Sequence, residues 1–176
     1  PPINRWNDIL LLLERLAPEP RLVPENLAER IEVFGIGHEI CGELGFGWNR
    51  RIDLARPAEG EDPGVFAQKY NYRDTEAALA NSRVIALMAE LAARLKTQKE
   101  NGSDYLVGQS VTAADFYWAA FSNFVVIQPQ EECPINRDAR PMFENTPAEI
   151  TAAIDPILIE HRDRIMHAYF KIPLEL

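Results

Sequence analysis

With 176 residues, 47% hydrophobic and 26% charged, the chain has the make-up of one soluble globular domain, able to bury about 70% of its unfolded surface. A net charge of −9 argues against nucleic acid or an anionic membrane as partner, because both reward clustered Lys and Arg. The longest uncharged stretch, Phe116 to Gln130, is shorter than the ~20 residues of a bilayer span. Cys41 and Cys133 lie outside any Cys-x-x-Cys, which points to no disulfide framework and to a reducing cytoplasm.

In chain order, Ile9 to Leu16 reads as a short apolar helix, with Asn4 or Asn7 near its start and Pro18 and Pro20 closing it. A second helix is expected from about Asn26 to Leu54. Leu27, Ile31, Phe34, His38, Cys41, Gly45, Trp48 and Ile52 recur at helical spacing and form its main stripe. Val33, Gly37, Ile40, Leu44, Gly47 and Arg51 form a second stripe nearly opposite. Glu32, Glu39, Glu43 and Arg50 share the polar strip between. Two non-polar faces imply packing on two sides. Gly35, Gly37, Gly42, Gly45 and Gly47 each cost about 0.5–1 kcal/mol relative to Ala, so close backbone approach or a break near Gly45-Phe46-Gly47 must compensate.

A long loop follows from Arg56 to Tyr72, acidic at Glu59, Glu61 and Asp62. Ala77 to Lys99 is a third helix of good helix formers, stopped by Asn101-Gly102. The fourth runs from Thr112 to about Ile127, and a second long loop from Gln128 to Asn145. A fifth starts near Thr146, with Pro147 at the first helical position and Glu149 three after the cap. Pro156 interrupts it, and a final helix covers about Ile157 to Phe170. Nothing reads as a strand, so the expected fold is an all-α helical bundle.

Thr112 and Asp115 have capping-box spacing: the Thr hydroxyl would accept from the Asp115 N–H while the carboxylate returns to the Thr112 N–H. Val111 and Phe116 are placed for a hydrophobic staple. The helix behind this cap carries no charge through Gln130 and is expected to be buried on most sides. Gly108, then Thr112-Ala113-Ala114-Asp115 opening a buried helix, resembles the second, all-helical domain of the glutathione transferases. In that family Gly108, Thr112 and Asp115 would serve folding. Leu22-Val23-Pro24-Glu25-Asn26, followed by Ala28-Glu29-Arg30, is similar to the connector between the family's thioredoxin-like and helical domains.

The resemblance implies that residues 1–20 are the last helix of a thioredoxin-like domain and 21–176 the helical domain. The chain begins Pro-Pro without an initiator Met, and the registration makes it a piece of a longer parent. That parent would be a cytoplasmic, homodimeric glutathione S-transferase-like protein, conjugating glutathione as co-substrate to small apolar electrophiles. Cys41, Gly45, Trp48 and Phe124 would line the electrophile pocket. No catalytic residue falls in this chain, and glutathione is not expected to bind it alone. The alternative is a non-catalytic module of the same fold, binding a protein partner or an apolar ligand. One departure stands out: where the family carries Glu-Ser to hold the glutathione γ-glutamyl carboxylate, this chain has Arg5-Trp6.

Other chemistry finds little footing. His38 and Cys41 share a helical face beside Glu39, but a structural zinc needs four such groups. His161 and His167, six apart, do not share one, and Cys133 stands alone. These read as packing residues and no metal is expected. Trp48-Asn49-Arg50-Arg51 has two readings: core packing with a solvated charge pair suited to a helix C-terminus, or a pocket wall with a cation at its rim.

Overall fold

A computed structural model describes residues 2–57, 62 and 64–174. The described residues form helices and connecting segments, with no strand among them. The elements are α1 (Trp6–Leu16), α2 (Leu27–Cys41), α3 (Phe46–Leu54), α4 (Val65–Lys69), α5 (Asp74–Glu100), α6 (Ala113–Phe121), a 3-10 turn (Ser122–Phe124), α7 (Arg140–Glu144), α8 (Ala148–Ala152) and α9 (Pro156–Tyr169). The all-α expectation holds. Both long loops contain a short helix, α4 and α7, that periodicity did not reveal. Glu59 and Glu61 of the acidic segment lie outside the described residues.

Helix α5 is the spine. At 27 residues it spans about 40 Å. Ala77, Ala80, Val84, Met88, Leu91, Ala92 and Leu95 face inward at helical spacing, and α3, α8 and α9 pack along it. Gly102, at φ +77, takes the left-handed conformation that ends it. Helix α6 fills the centre between α2 and α9. Trp118, fully buried, donates its indole N–H to the Leu158 carbonyl at 3.0 Å and meets Phe46 edge-on at 5.5 Å.

The single helix expected from Asn26 to Leu54 is two. Asn26 caps α2 by accepting from the Ala28 and Glu29 N–H groups, and the helix stops at Cys41. Leu44 sits at φ +61, and α3 restarts at Phe46 in a new phase. The break consumes two of the glycines. A Cβ on Gly42 would stand 2.6 Å from the His38 carbonyl, and one on Gly45 2.5 Å from the Glu39 carbonyl. Both neighbours are backbone and cannot yield cheaply, so Gly45→Ala should cost about 1–3 kcal/mol in a denaturant melt.

The faces of the two helices are set separately. The stripe that enters the core of α2 is Val33, Gly37 and Ile40. Leu27 and Ile31, on the expected main stripe, are 61% and 63% exposed. Glu32, Glu39 and Glu43 are exposed as expected, whereas Arg50 is fully buried, because the polar strip does not continue across the break. Gly37 serves close approach: the Trp6 ring lies 2.8 Å from where its Cβ would be.

Helix α1 begins at Trp6 behind Arg5, without a side-chain cap from Asn4 or Asn7. Only Leu10 on it is buried; Ile9, Leu11, Leu13 and Leu16 are exposed. The expected fourth helix stops at Phe121 and tightens into the 3-10 turn. The fifth shrinks to α8, with Pro147 as its cap residue and not its first helical residue. Val111 packs with Ala119, Ile165 and Met166, and Phe116 lies against Tyr169 and Phe170 at 5.7 and 5.4 Å.

Helix α9 opens on Asp155, which accepts from the Ile157 N–H at 3.1 Å and pairs with Lys96. The Lys96 hydrogen bond, aided by the Ile157 amide, holds the Asp155 carboxyl below its ordinary value. A depressed folded-state value means stability present above the ordinary carboxylate range and lost as pH falls through the folded value. Asp155→Ala should therefore cost about 1 kcal/mol near neutrality, and the gap to the parent protein should close below about pH 4. Urea melts at several pH values test this.

Candidate functional site

A run of carbonyls is left over where α6 passes into the 3-10 turn, as at any helix end. Three side chains from distant elements satisfy them. Arg50 Nε of α3 donates to the Phe124 carbonyl at 2.9 Å, and Thr146 Oγ1 donates to the Val125 carbonyl at 2.9 Å. Arg162 Nη1 of α9 donates to the Val126 carbonyl at 2.6 Å. Two buried cations at a helix C-terminus also suit its partial negative charge. Arg50 pairs with Asp53 at 2.8 Å; burial, only partly offset by that carboxylate, lowers the guanidinium pKa. The clamp fixes Phe124.

From Phe124 the chain opens around a cavity of about 550 Å³, within the ordinary range for a small-molecule site. Its apolar wall comes from Phe124, Ile135, Phe143, Met166, Phe170 and Leu174. Ala120 and Cys133 complete that wall, and Arg51, Asn123 and Lys171 add polar groups. Phe124 meets Phe121 at 6.0 Å and Phe143 at 5.6 Å. The outer wall is loop, held chiefly by Arg140, whose guanidinium donates to the Gln128 carbonyl at 2.8 Å, the Cys133 carbonyl at 3.2 Å and Glu144 at 2.6 Å. The C-terminal segment is tied down by the Leu174 N–H, which donates to the Glu132 carbonyl at 2.7 Å.

Of the four expected pocket residues, only Phe124 lines this cavity. Gly45 lines a separate groove beside Glu39, Asn49 and Arg83. Trp48 is half-buried, edge-on to Tyr70 at 5.9 Å. Cys41 is half-buried against the core near Tyr117 and Arg51. Cys41, Gly45 and Trp48 were expected on one continuous helix with Phe124 on the helix beside it, and the break at Gly42–Gly45 puts Cys41 on α2 and Trp48 on α3. Of the Trp48-Asn49-Arg50-Arg51 run, Arg51 lines this cavity and Trp48 does not. Ile135, Phe143, Phe170 and Leu174 were not anticipated; the apolar residues scattered through the polar 128–145 stretch were the one signal for Ile135 and Phe143.

Neither thiol is poised to react. Burial pushes the Cys41 thiol up to about 12, with Arg51 only partly opposing it. Burial also raises Cys133, with Arg140 opposing. Both cysteines are free and should react slowly with an aromatic disulfide reagent in the native protein at pH 7.5, then rapidly once it is denatured. Among the described residues no group of three or more His, Cys, Asp or Glu is placed to hold a metal ion.

The capping residues form a second, buried constellation. Asp115 Oδ2 accepts from the Thr112 N–H at 2.7 Å and from the Thr112 hydroxyl at 3.0 Å. Oδ1 accepts from the Leu106 N–H at 2.8 Å. The arrangement is a capping box in outline, but the close bond of the Thr hydroxyl runs to the carboxylate. The Asp115 N–H, which faces the Thr112 side chain in the capping box, also bonds to the Thr112 carbonyl at 3.1 Å. His161 Nε2 lies 3.1 Å from Oδ1, off the line of a full hydrogen bond. Arg164 Nη2 stands 3.0 Å from His161 Nδ1; arginine only donates, so Nδ1 accepts and the ring proton is on Nε2, facing Asp115. Gly108, at φ +65, turns its carbonyl to accept from Ser103 Oγ at 2.7 Å and Gln98 Nε2 at 2.9 Å.

No helix among the described residues is long and apolar enough to cross a membrane. Compared with protein families, curated proteins and solved structures, the chain matches none.

Proposed function

We propose that this chain is a ligand-binding helical domain of a glutathione transferase-like protein, whose cavity at Phe124 receives small, predominantly apolar molecules. The observation that carries this reading is the cavity of about 550 Å³ with its aromatic and aliphatic wall. Burying an apolar ligand there gains about 25 cal/mol per Å² removed from water. The exposed apolar side of α1 supports a parent in which a further domain covers that helix. Homodimerisation and a cytoplasmic location belong to the same proposal, the free thiols Cys41 and Cys133 suiting a reducing compartment.

Glutathione would be the co-substrate of the parent. The residues here do not fit it. The Trp6 ring is committed to Phe34 at 6.1 Å and Tyr117 at 5.6 Å, and Arg5 is exposed on the surface. The chain alone is therefore expected to bind no glutathione by calorimetry and to catalyse no conjugation of an aryl halide. The second reading, a non-catalytic binding module, is favoured by two thiols that burial shifts away from the reactive thiolate.

The test is titration with a neutral apolar probe, octanol, followed by heteronuclear NMR. Shifts should cluster on Phe124, Phe143 and Phe170, and Ala120→Trp, which fills the mouth, should weaken binding about ten-fold or more. Shifts scattered over the surface, or confined to α1, would remove the cavity reading.

A further inference from the structure

The cavity is not electrically neutral. Both charged side chains on its lining, Arg51 and Lys171, are cations, and no carboxylate lines it among the described residues. That is the reverse of the chain as a whole, which carries a net charge of −9. Arg51 is also unusual among the arginines near the site. Arg50 is paired with Asp53, Arg140 with Glu144 and Arg162 with Asp163. Arg51 pairs with no carboxylate among the described residues. It is held by ring faces instead, 4.9 Å from the Phe124 centroid, 5.7 Å from Phe121 and 5.9 Å from Tyr70.

Ring contacts hold the guanidinium electrostatically without consuming its N–H donors, which leaves its fork for an acceptor. A half-buried cation beside an apolar cavity favours an anion more strongly than one in open water, because the local dielectric is lower. The fork suits two oxygens of one planar group.

We propose that the ligand of this cavity is an amphipathic acid: an apolar or aromatic body bearing one carboxylate, with the body against Phe124, Phe143 and Phe170 and the carboxylate on Arg51. This rests on the cavity being a ligand site and adds the chemical class of its occupant. Straight-chain and aromatic acids share the recognised chemistry.

The experiment compares octanoate with octanol, and 2-naphthoate with 2-naphthamide, by calorimetry at low ionic strength and neutral pH. Each acid should bind about ten- to a hundred-fold more tightly than its neutral partner, the range expected for a charge-assisted hydrogen bond. Arg51→Gln should bring that ratio close to one, and Arg51→Lys, which keeps the charge but loses the fork, should keep only part of it; thermal melts establish that both variants fold. A preference for octanoate over 2-naphthoate, or the reverse, distinguishes the two sources of the acid. Equal affinity of acid and neutral partner, or a preference that survives Arg51→Gln, overturns the acid assignment while leaving the apolar cavity standing. Binding of neither octanol nor octanoate overturns both.

Discussion

Asp115→Ala is expected to cost about 3–5 kcal/mol, well above the ~1 kcal/mol of an ordinary N-cap. The carboxylate is fully buried and serves two chain segments at once: the Thr112 end of α6 and the Leu106 N–H nine residues upstream. Removing it orphans two buried N–H groups and the Thr112 hydroxyl, each worth about 1–3 kcal/mol when left unsatisfied. It also leaves His161 Nε2 without the carboxylate it faces at 3.1 Å. Thr112→Ala loses a single hydroxyl donor and should cost about 1 kcal/mol. Because the two residues share one carboxylate oxygen, the double variant should fall short of the sum by 0.5 kcal/mol or more. Chemical denaturation of the three proteins measures all of this; a loss for Asp115→Ala no larger than for Thr112→Ala would show that the upstream contacts contribute nothing.

The second large effect is expected at Arg50. Arg50→Met keeps most of the side-chain volume but strips the Phe124 carbonyl of its donor and leaves Asp53, 14% exposed, without its closest cation. Breaking one side of such a pair typically costs about 3–5 kcal/mol. Part of that loss is the unpaired Asp53, so Arg50→Met combined with Asp53→Ala should recover 1 kcal/mol or more of it. A second readout separates this from general loosening. Phe124 sits directly on the clamped turn, so affinity for an apolar probe should fall with Arg50→Met even at temperatures where the variant is fully folded.

The parts of this architecture legible in the sequence are those written in local chemistry. Asn101-Gly102 ends α5 because the turn needs a left-handed residue, and Gly102 supplies it. The Thr112–Asp115 pair marked the start of α6 because cap spacing is short-range. Pro18 and Pro20 marked the end of α1, and Pro156 the start of α9, for the same reason. Faces were harder. Leu27 and Ile31 look like core by size yet lie on the surface, while Arg50 looks like solvent yet lies inside. The Gly42–Gly45 turn changes the helical phase, so a periodicity carried across it misplaces Arg50 of α3; within α2 two stripes were open, and the one with Val33, Gly37 and Ile40 enters the core. The cavity wall was less legible still. Ile135, Phe143 and Leu174 reach it through irregular chain held by Arg140 and the Leu174–Glu132 bond, and no periodic pattern encodes such an arrangement. His161 gave no signal, since its partner is 46 positions away in sequence.

Arg50 and Arg51 are neighbours in the chain and do opposite things: one is locked under the end of α6, the other faces the cavity. Adjacent codons thus divide architecture from ligand preference. Selection, or a designer, can rewrite position 51 while position 50 keeps the turn in place. A change such as Arg51→Glu would invert the sign of the charge offered to a ligand on an unchanged aromatic floor, so one small family of variants could span acidic, neutral and basic guests without redesigning the bundle.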